Sequence, residues 1–152
     1  MTNIERAQRL VEQVRELGTD DFCACAGSRN SPLLAILGSL TDASVFSFVD
    51  ERSAAFFAIG RAKLSGRPAA VVTTSGTAVA ELLPAVVEAY YSALPLVLIT
   101  ADRPSRFRGS GAPQAIEQIG IFGSYAATSL DGWTRSTPLH INIEFDEPLI
   151  DG

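Results

Sequence analysis

Four short apolar runs, at 21–26, 45–49, 69–73 and 96–100, alternate with segments whose apolar residues recur every three or four positions. That alternation leaves few architectures. A strand followed by a helix and another strand is the unit of a parallel sheet, because parallel neighbours need a crossover of a dozen or more residues. The runs Ala69–Val72 and Leu96–Thr100 are almost wholly apolar, which predicts burial on both faces, and Val45–Val49 reads as a buried strand in the same way.

Between the strands the helices carry their own signals. Thr2 and Glu5 have capping-box spacing, and Ile4, Ala7, Leu10, Val11, Val14 and Leu17 keep helical intervals up to Gly18. A second helix starts near Pro32, and a third covers Arg52–Leu64, closed by Ser65-Gly66. Ser75-Gly76-Thr77 opens a fourth, running to Tyr90 with Pro84 as a kink or an early-turn residue. Past Asp102 the chain is polar and glycine-rich to Gln114. A short helix is predicted over 116–122, a fifth strand over 126–129 and a last strand over 139–143.

The expectation is therefore one α/β domain over 1–152, with a mostly parallel sheet of about six strands and helices on both faces. One join is anomalous. The residues between Leu130 and Leu139 are too few for a parallel crossover, so either the flanking strands are not parallel neighbours or a helix is missing.

Composition narrows the function classes. At 152 residues and 47% hydrophobic, the chain can bury one substantial core. Its formal net charge of -5, with both signs interspersed, argues against a nucleic-acid or anionic-membrane surface. No apolar run approaches the roughly 20 residues of a membrane span, and no signal peptide is visible, which predicts a cytoplasmic protein. Cys23 and Cys25 are expected to face opposite sides of a strand as buried, unbridged thiols. With His140 as the one histidine, no metal site is expected.

Chemistry-bearing residues collect in the turns that follow strands, where ligands bind in open parallel sheets. Gly27-Ser28-Arg29 could meet an anion through backbone N–H groups, a hydroxyl and a guanidinium, or could be a glycine turn with a solvated arginine. Ser75-Gly76-Thr77 could approach a ligand closely or simply cap a helix. Arg103, with Arg106 and Arg108 nearby, suits a carboxylate or phosphate, the alternative being surface exposure; Asn30 and Gln114 add uncharged polar groups. Glu51 is the sharpest candidate. A carboxyl group desolvated at a strand end can exchange a proton with a heterocyclic nitrogen, while the competing reading is a helix N-terminal carboxylate. Neither GxxxxGK[ST] nor GxGxxG occurs.

Taken together, Cys25–Pro32, Phe48–Arg52, Thr74–Ala80, Leu98–Pro104 and Gly111–Ile116 resemble, in order and spacing, a family of thiamine-diphosphate (ThDP) enzymes. The resemblance is to the N-terminal, pyrimidine-binding domain of the 2-succinyl-5-enolpyruvyl-6-hydroxy-3-cyclohexene-1-carboxylate synthases of menaquinone synthesis. The closing stretch Pro138–Leu149 matches the end of that domain, so the likeness covers nearly the whole chain.

The resemblance implies specific roles. Glu51 becomes the glutamate that holds N1′ of the cofactor's aminopyrimidine and promotes formation of the nucleophile. Ser28, Arg29 and Arg103 take the positions of substrate-carboxylate contacts, the substrates being 2-oxoglutarate and isochorismate. Ser75, Gly76, Thr77 and Gln114 fall on the cofactor side. Mg²⁺ and the diphosphate belong, in this family, to a separate domain carrying a GDG motif, and no GDG occurs here.

Two departures stand out. Ala26 replaces a usual proline, and the connection 131–137 is shorter than the helix-bearing segment of the family, which would leave one flank of the sheet bare. The chain is thus expected to supply half a site, inactive without a diphosphate-binding domain or chain, within a homo-oligomer. The alternative is a non-catalytic interaction module that keeps the fold.

Overall fold

A computed structural model describes residues 1–150. The elements run α1 (Asn3–Glu16), β1 (Asp21–Cys25), α2 (Ser31–Ser39), β2 (Ser44–Phe48), α3 (Glu51–Ser65), β3 (Ala69–Thr73), α4 (Thr77–Ala80), α5 (Leu83–Tyr91), β4 (Leu96–Asp102) and β5 (Leu139–Glu144). All strand pairs are parallel, in the order β2-β1-β3-β4-β5. The α/β fold with helices on both faces is therefore as expected, with five strands.

Alternate strand residues feed two apolar layers. Phe22, Ala24, Ala70, Val72, Val97, Ile99 and Ala101 meet α1 and α2. Cys23, Cys25, Ala69, Val71, Leu96 and Leu98 meet α3 and α5, which present Ala54, Ala55, Ala58, Ala62, Ala85, Val86 and Ala89. So many alanines let these helices lie close to the sheet, since a small side chain adds little thickness to the layer. Cys23 and Cys25 thus share one layer, contrary to the opposite-face expectation: residues two apart in a strand point the same way. Both thiols are free and buried, and burial pushes each up to about 12.

Local signals explain the helix ends. Thr2 and Glu5 exchange both capping-box hydrogen bonds at the start of α1. Gly66 takes the left-handed conformation, φ 68°, that closes α3. Pro84 lies in the first turn of α5 and divides the expected fourth helix into α4 and α5, because proline offers no N–H to continue a helix behind it.

Three expectations change. β2 is an edge strand rather than a buried one: Val45 is 41% exposed, although Phe57 of α3 packs on Phe46 and Phe48. The stretch 116–122 forms turns, not a helix, and the strand predicted over 126–129 reduces to one bridge, Ala127 to Leu139. With only that bridge present, the full crossover to β5 is the whole of 103–138, which removes the anomaly at 130–139. Among the described residues no helix is long and apolar enough to cross a membrane.

Candidate functional site

Because the strands are parallel and nearly in register, their carboxyl ends share one edge: Cys25 lies beside Phe48, Thr73 beside Thr100, and Asp102 beside Glu144. Each loop singled out in the sequence leaves from that edge. In open parallel sheets the ligand crevice lies there, where successive crossovers depart to opposite faces. Here that point falls between β1 and β3, neighbours in the sheet whose following helices, α2 and α5, cover opposite layers.

Two glycines let the loops close on one another. A Cβ on Gly27 would fall 2.4 Å from the Cβ of Thr74, so the turn after β1 touches the turn after β3 as only glycine allows. Gly76, at φ 83° and ψ −138°, lies against Gln114, with a notional Cβ 3.1 Å from both Cα and Cβ of that residue. Gln114 itself holds φ 54°, uncommon for a residue with a side chain and a form of strain found at ligand-facing turns. Ser75 and Gly76 are buried, while Thr77 and Gln114 are exposed. The Thr73 hydroxyl beneath them is buried without a hydrogen-bond partner among the described residues.

Glu51 is the first residue of α3, half-buried at the end of the edge strand β2. The capping is done by its neighbour: Asp50 accepts a 2.7 Å hydrogen bond from the Ser53 N–H. Glu51 itself lies in the first turn of α3, where a carboxylate also meets the positive end of the helix dipole. Its negative charge also contributes to holding the Cys25 thiol up, after the larger effect of burial, which places the carboxylate near the end of β1.

The arginines separate by partner. Arg106 pairs with Asp146 at 2.6 Å, and Arg108 pairs with Glu144. Arg103 has no carboxylate partner among the described residues; its Nε donates to the Pro113 carbonyl at 2.9 Å, and its guanidinium lies 5.7 Å from the Phe107 ring centroid. Arg29 is 6% exposed and donates to the Phe145 carbonyl at 2.9 Å and to Glu147 at 3.2 Å. It therefore anchors the segment after β5 while Ser28, beside it, is exposed. Asn30 ties the same turn, accepting from the Gly27 N–H and donating to the Cys25 carbonyl.

Behind the loops lies a polar group that the sequence did not reveal: Thr100, Asp102, Gln118 and His140, all buried, with the half-buried Asn142. Gln118 accepts from the Gly76 N–H at 2.9 Å, and Asp102 accepts from the Arg103 N–H at 2.8 Å. Burial holds Asp102 above the usual carboxylate range and His140 down at about 4. The signal available was alternation in 139–143, where His140 and Asn142 share one side of the strand. Gln118 gave none, since the period around it suggested a helix.

The site thus combines a carboxylate at a strand-to-helix turn, a glycine turn on which Gln114 packs, and arginines along one sheet edge. The family described as "Thiamine pyrophosphate enzyme, N-terminal TPP binding domain" matches residues 4–121, and the chain belongs to it. Among curated relatives, the 2-succinyl-5-enolpyruvyl-6-hydroxy-3-cyclohexene-1-carboxylate synthase of Bdellovibrio bacteriovorus is 50% identical, over 100% of this chain and 31% of its own length. The synthases of the same name from Akkermansia muciniphila and Halobacterium salinarum are 52% and 49% identical, over 86% and 94% of this chain and 27% and 29% of theirs. The chain therefore spans less than a third of the length of these relatives.

The residues present fit a thiamine cofactor. A carboxyl group can accept from or donate to a ring nitrogen, and Gly76, having no Cβ, lets Gln114 close against the same edge. Among the described residues no group of three or more His, Cys, Asp or Glu is placed to hold a metal ion.

Proposed function

We propose that this chain, over 1–152, holds the aminopyrimidine end of ThDP in a synthase that decarboxylates 2-oxoglutarate and adds the succinyl unit to isochorismate. The observation that carries the reading is Glu51, a half-buried carboxylate at the sheet edge whose capping duty has passed to Asp50. When bound, ThDP supplies the nucleophilic carbon and the electron sink that such a carboligation needs. Glu51 would hold the ring nitrogen and exchange its proton; glutamine could hydrogen-bond there but could not exchange that proton. Ser75, Gly76, Thr77 and Gln114 would line the ring, with Gly76 and Gln114 packed together to form that wall.

Both substrates are polyanionic, and Arg103 is the edge arginine whose guanidinium is still open to a carboxylate. Ser28 and Arg29 would meet the other anionic groups, Arg29 exchanging its Glu147 contact for the substrate. The diphosphate and its Mg²⁺ would be held by a second unit, within the same polypeptide or on a partner. An exposed apolar surface supports such a neighbour: Val49, Phe56, Phe57 and Leu64 run from the Glu51 turn along α3, with Leu83 and Tyr91 on α5 beside it.

Reconstitution tests the proposal. The chain is combined with a diphosphate-binding unit from a curated relative, and turnover is followed with ThDP, Mg²⁺, 2-oxoglutarate and isochorismate. Turnover is expected with both units and lost in Glu51→Gln. Undiminished turnover in that variant would remove Glu51 from the mechanism.

A further inference from the structure

One hydrogen-bonded path crosses the sheet edge from the cofactor-side loop to the substrate-side arginine. The Gly76 N–H donates to Gln118 Oε1 at 2.9 Å, and Gln118 Nε2 donates to Asn142 Oδ1 at 2.8 Å. Asn142 Nδ2 then donates to Asp102 Oδ2 at 2.9 Å, and Asp102 Oδ1 accepts from the Arg103 N–H at 2.8 Å. The two ends leave neighbouring strands, Gly76 three residues after Thr73 of β3 and Arg103 three after its partner Thr100 of β4, and Gln118 joins them from the crossover 103–138, which contains no α-helix or strand.

The polarity of this path is determined at every joint. An amide N–H only donates and a carbonyl only accepts, so the Gly76 N–H and the Ala101 carbonyl, 3.2 Å from Gln118 Nε2, together fix the carboxamide's orientation. Thr100 donates its hydroxyl to Asn142 Oδ1 at 2.8 Å, which obliges His140 Nε2, 2.8 Å away, to donate to Thr100. Gln118 and Thr100 are wholly buried and Asp102 is 2% exposed. A buried amide costs free energy that an apolar side chain of the same size would avoid, so its gain lies in geometry.

We infer that Gln118 is a positioning residue, which through Asn142 and Asp102 holds the Gly76 main chain and Arg103 at a fixed separation across the site. The inference rests on the proposed function for its catalytic meaning, but the coupling itself is a property of the chain. Gln118→Met keeps the volume and strands the Gly76 N–H. Gln118→Glu keeps the shape, but when ionised it turns an acceptor toward the Ala101 carbonyl and Asn142 Oδ1, and when protonated it can donate again.

The test is amide hydrogen exchange on the ¹⁵N-labelled chain, corrected for intrinsic rates. In Gln118→Met the Gly76 amide exchanges at least about tenfold faster while mid-strand amides such as Val71 and Leu98 keep wild-type protection. In Gln118→Glu the Gly76 protection is near wild type at low pH and falls as pH rises, with no such trend in the parent. Asn142→Val, at a half-buried strand position, removes the Gln118 acceptor on Asn142 while leaving Gln118 itself in place, and also loosens Gly76. Wild-type Gly76 protection in the Glu variant across the pH range, or in Asn142→Val, would overturn the inference.

In the reconstituted enzyme, Gln118→Met raises KM for ThDP and for 2-oxoglutarate together, whereas a purely structural role would lower the active fraction and leave both KM values unchanged. Unchanged KM values overturn the positioning role. Absence of turnover in the parent reconstitution counts against the proposed function alone, because hydrogen exchange still decides the coupling.

Discussion

Gly27 and Thr74 meet so closely that a Cβ on the glycine would lie 2.4 Å from the Cβ of the threonine. Through that contact the turns after β1 and β3, neighbours in the sheet, form one continuous floor at the edge where the candidate residues gather. Removing the threonine methyl would not relieve the clash, because the Cβ itself is the nearest atom.

Gly27→Ala should therefore destabilise the chain by about 1–3 kcal/mol, the usual cost of overpacking, and displace the Ser75-Gly76 loop. Thr74→Ala should not restore stability in the double variant, whereas Thr74→Gly should recover part of it. Urea denaturation of the four proteins measures this. A Gly27→Ala variant as stable as the parent would show that the two turns can separate freely.

Asp50 and Glu51 should separate stability from function. Asp50→Ala removes the cap on α3 and lowers the thermal midpoint. Glu51→Gln leaves the cap intact and the midpoint nearly unchanged, while abolishing turnover in the reconstituted enzyme. Comparable loss of stability in both variants would mean that Glu51 serves the helix after all.

His140 predicts a pH window. Burial holds its folded-state pKa at about 4, below the ordinary 6.5, so the unfolded chain takes up a proton first as pH falls. The stabilisation is complete above about pH 6.5 and is lost progressively toward pH 4, a change of up to about 3 kcal/mol. Asp42, Asp50 and Asp146, held below the usual carboxylate range by hydrogen bonds from Arg15, Ser53 and Arg106, contribute their losses at still lower pH. Denaturant midpoints between pH 7.5 and 4.5 should fall in the parent and stay flatter in His140→Gln.

The edge arginines should differ by what already occupies them. Arg103→Ala is expected to raise KM for an anionic substrate by about tenfold or more, the loss of one charge-assisted contact, with little change in stability. Arg108→Ala should destabilise the fold more than Arg106→Ala, because Arg108 lies 3.8 Å from the buried Asp102 as well as pairing with Glu144. Steady-state kinetics and thermal melts on the three variants distinguish them. Equal KM effects for Arg103 and Arg106 would remove the assignment.

Much of this was legible from residue order. Helical spacing, the Thr2–Glu5 box, Gly66 and the apolar runs mark elements by local chemistry, and local chemistry is what a sequence states directly. Where the reading failed, the deciding contact was remote. Val45–Val49 is largely apolar like its neighbours, yet among the described residues nothing pairs with the outer edge of β2, so its position in the sheet leaves it exposed. Stretch 116–122 has helical spacing, but its backbone is drawn into turns with Gln118 buried against Gly76 and Asn142, a competition that local propensity cannot register.

By itself, then, the sequence determined that strands and helices alternate, and that a carboxylate, glycines and arginines follow the strands. Their order and types carry the ThDP family. It took the folded chain to show that Arg103 rather than Arg106 or Arg108 is left without a carboxylate among the described residues, and that Gln118 ties Gly76 to the end of β4. One physical reason covers both. A polar side chain's role is set by which partner reaches it first, and those partners lie on other strands and loops, up to 42 residues away in the chain.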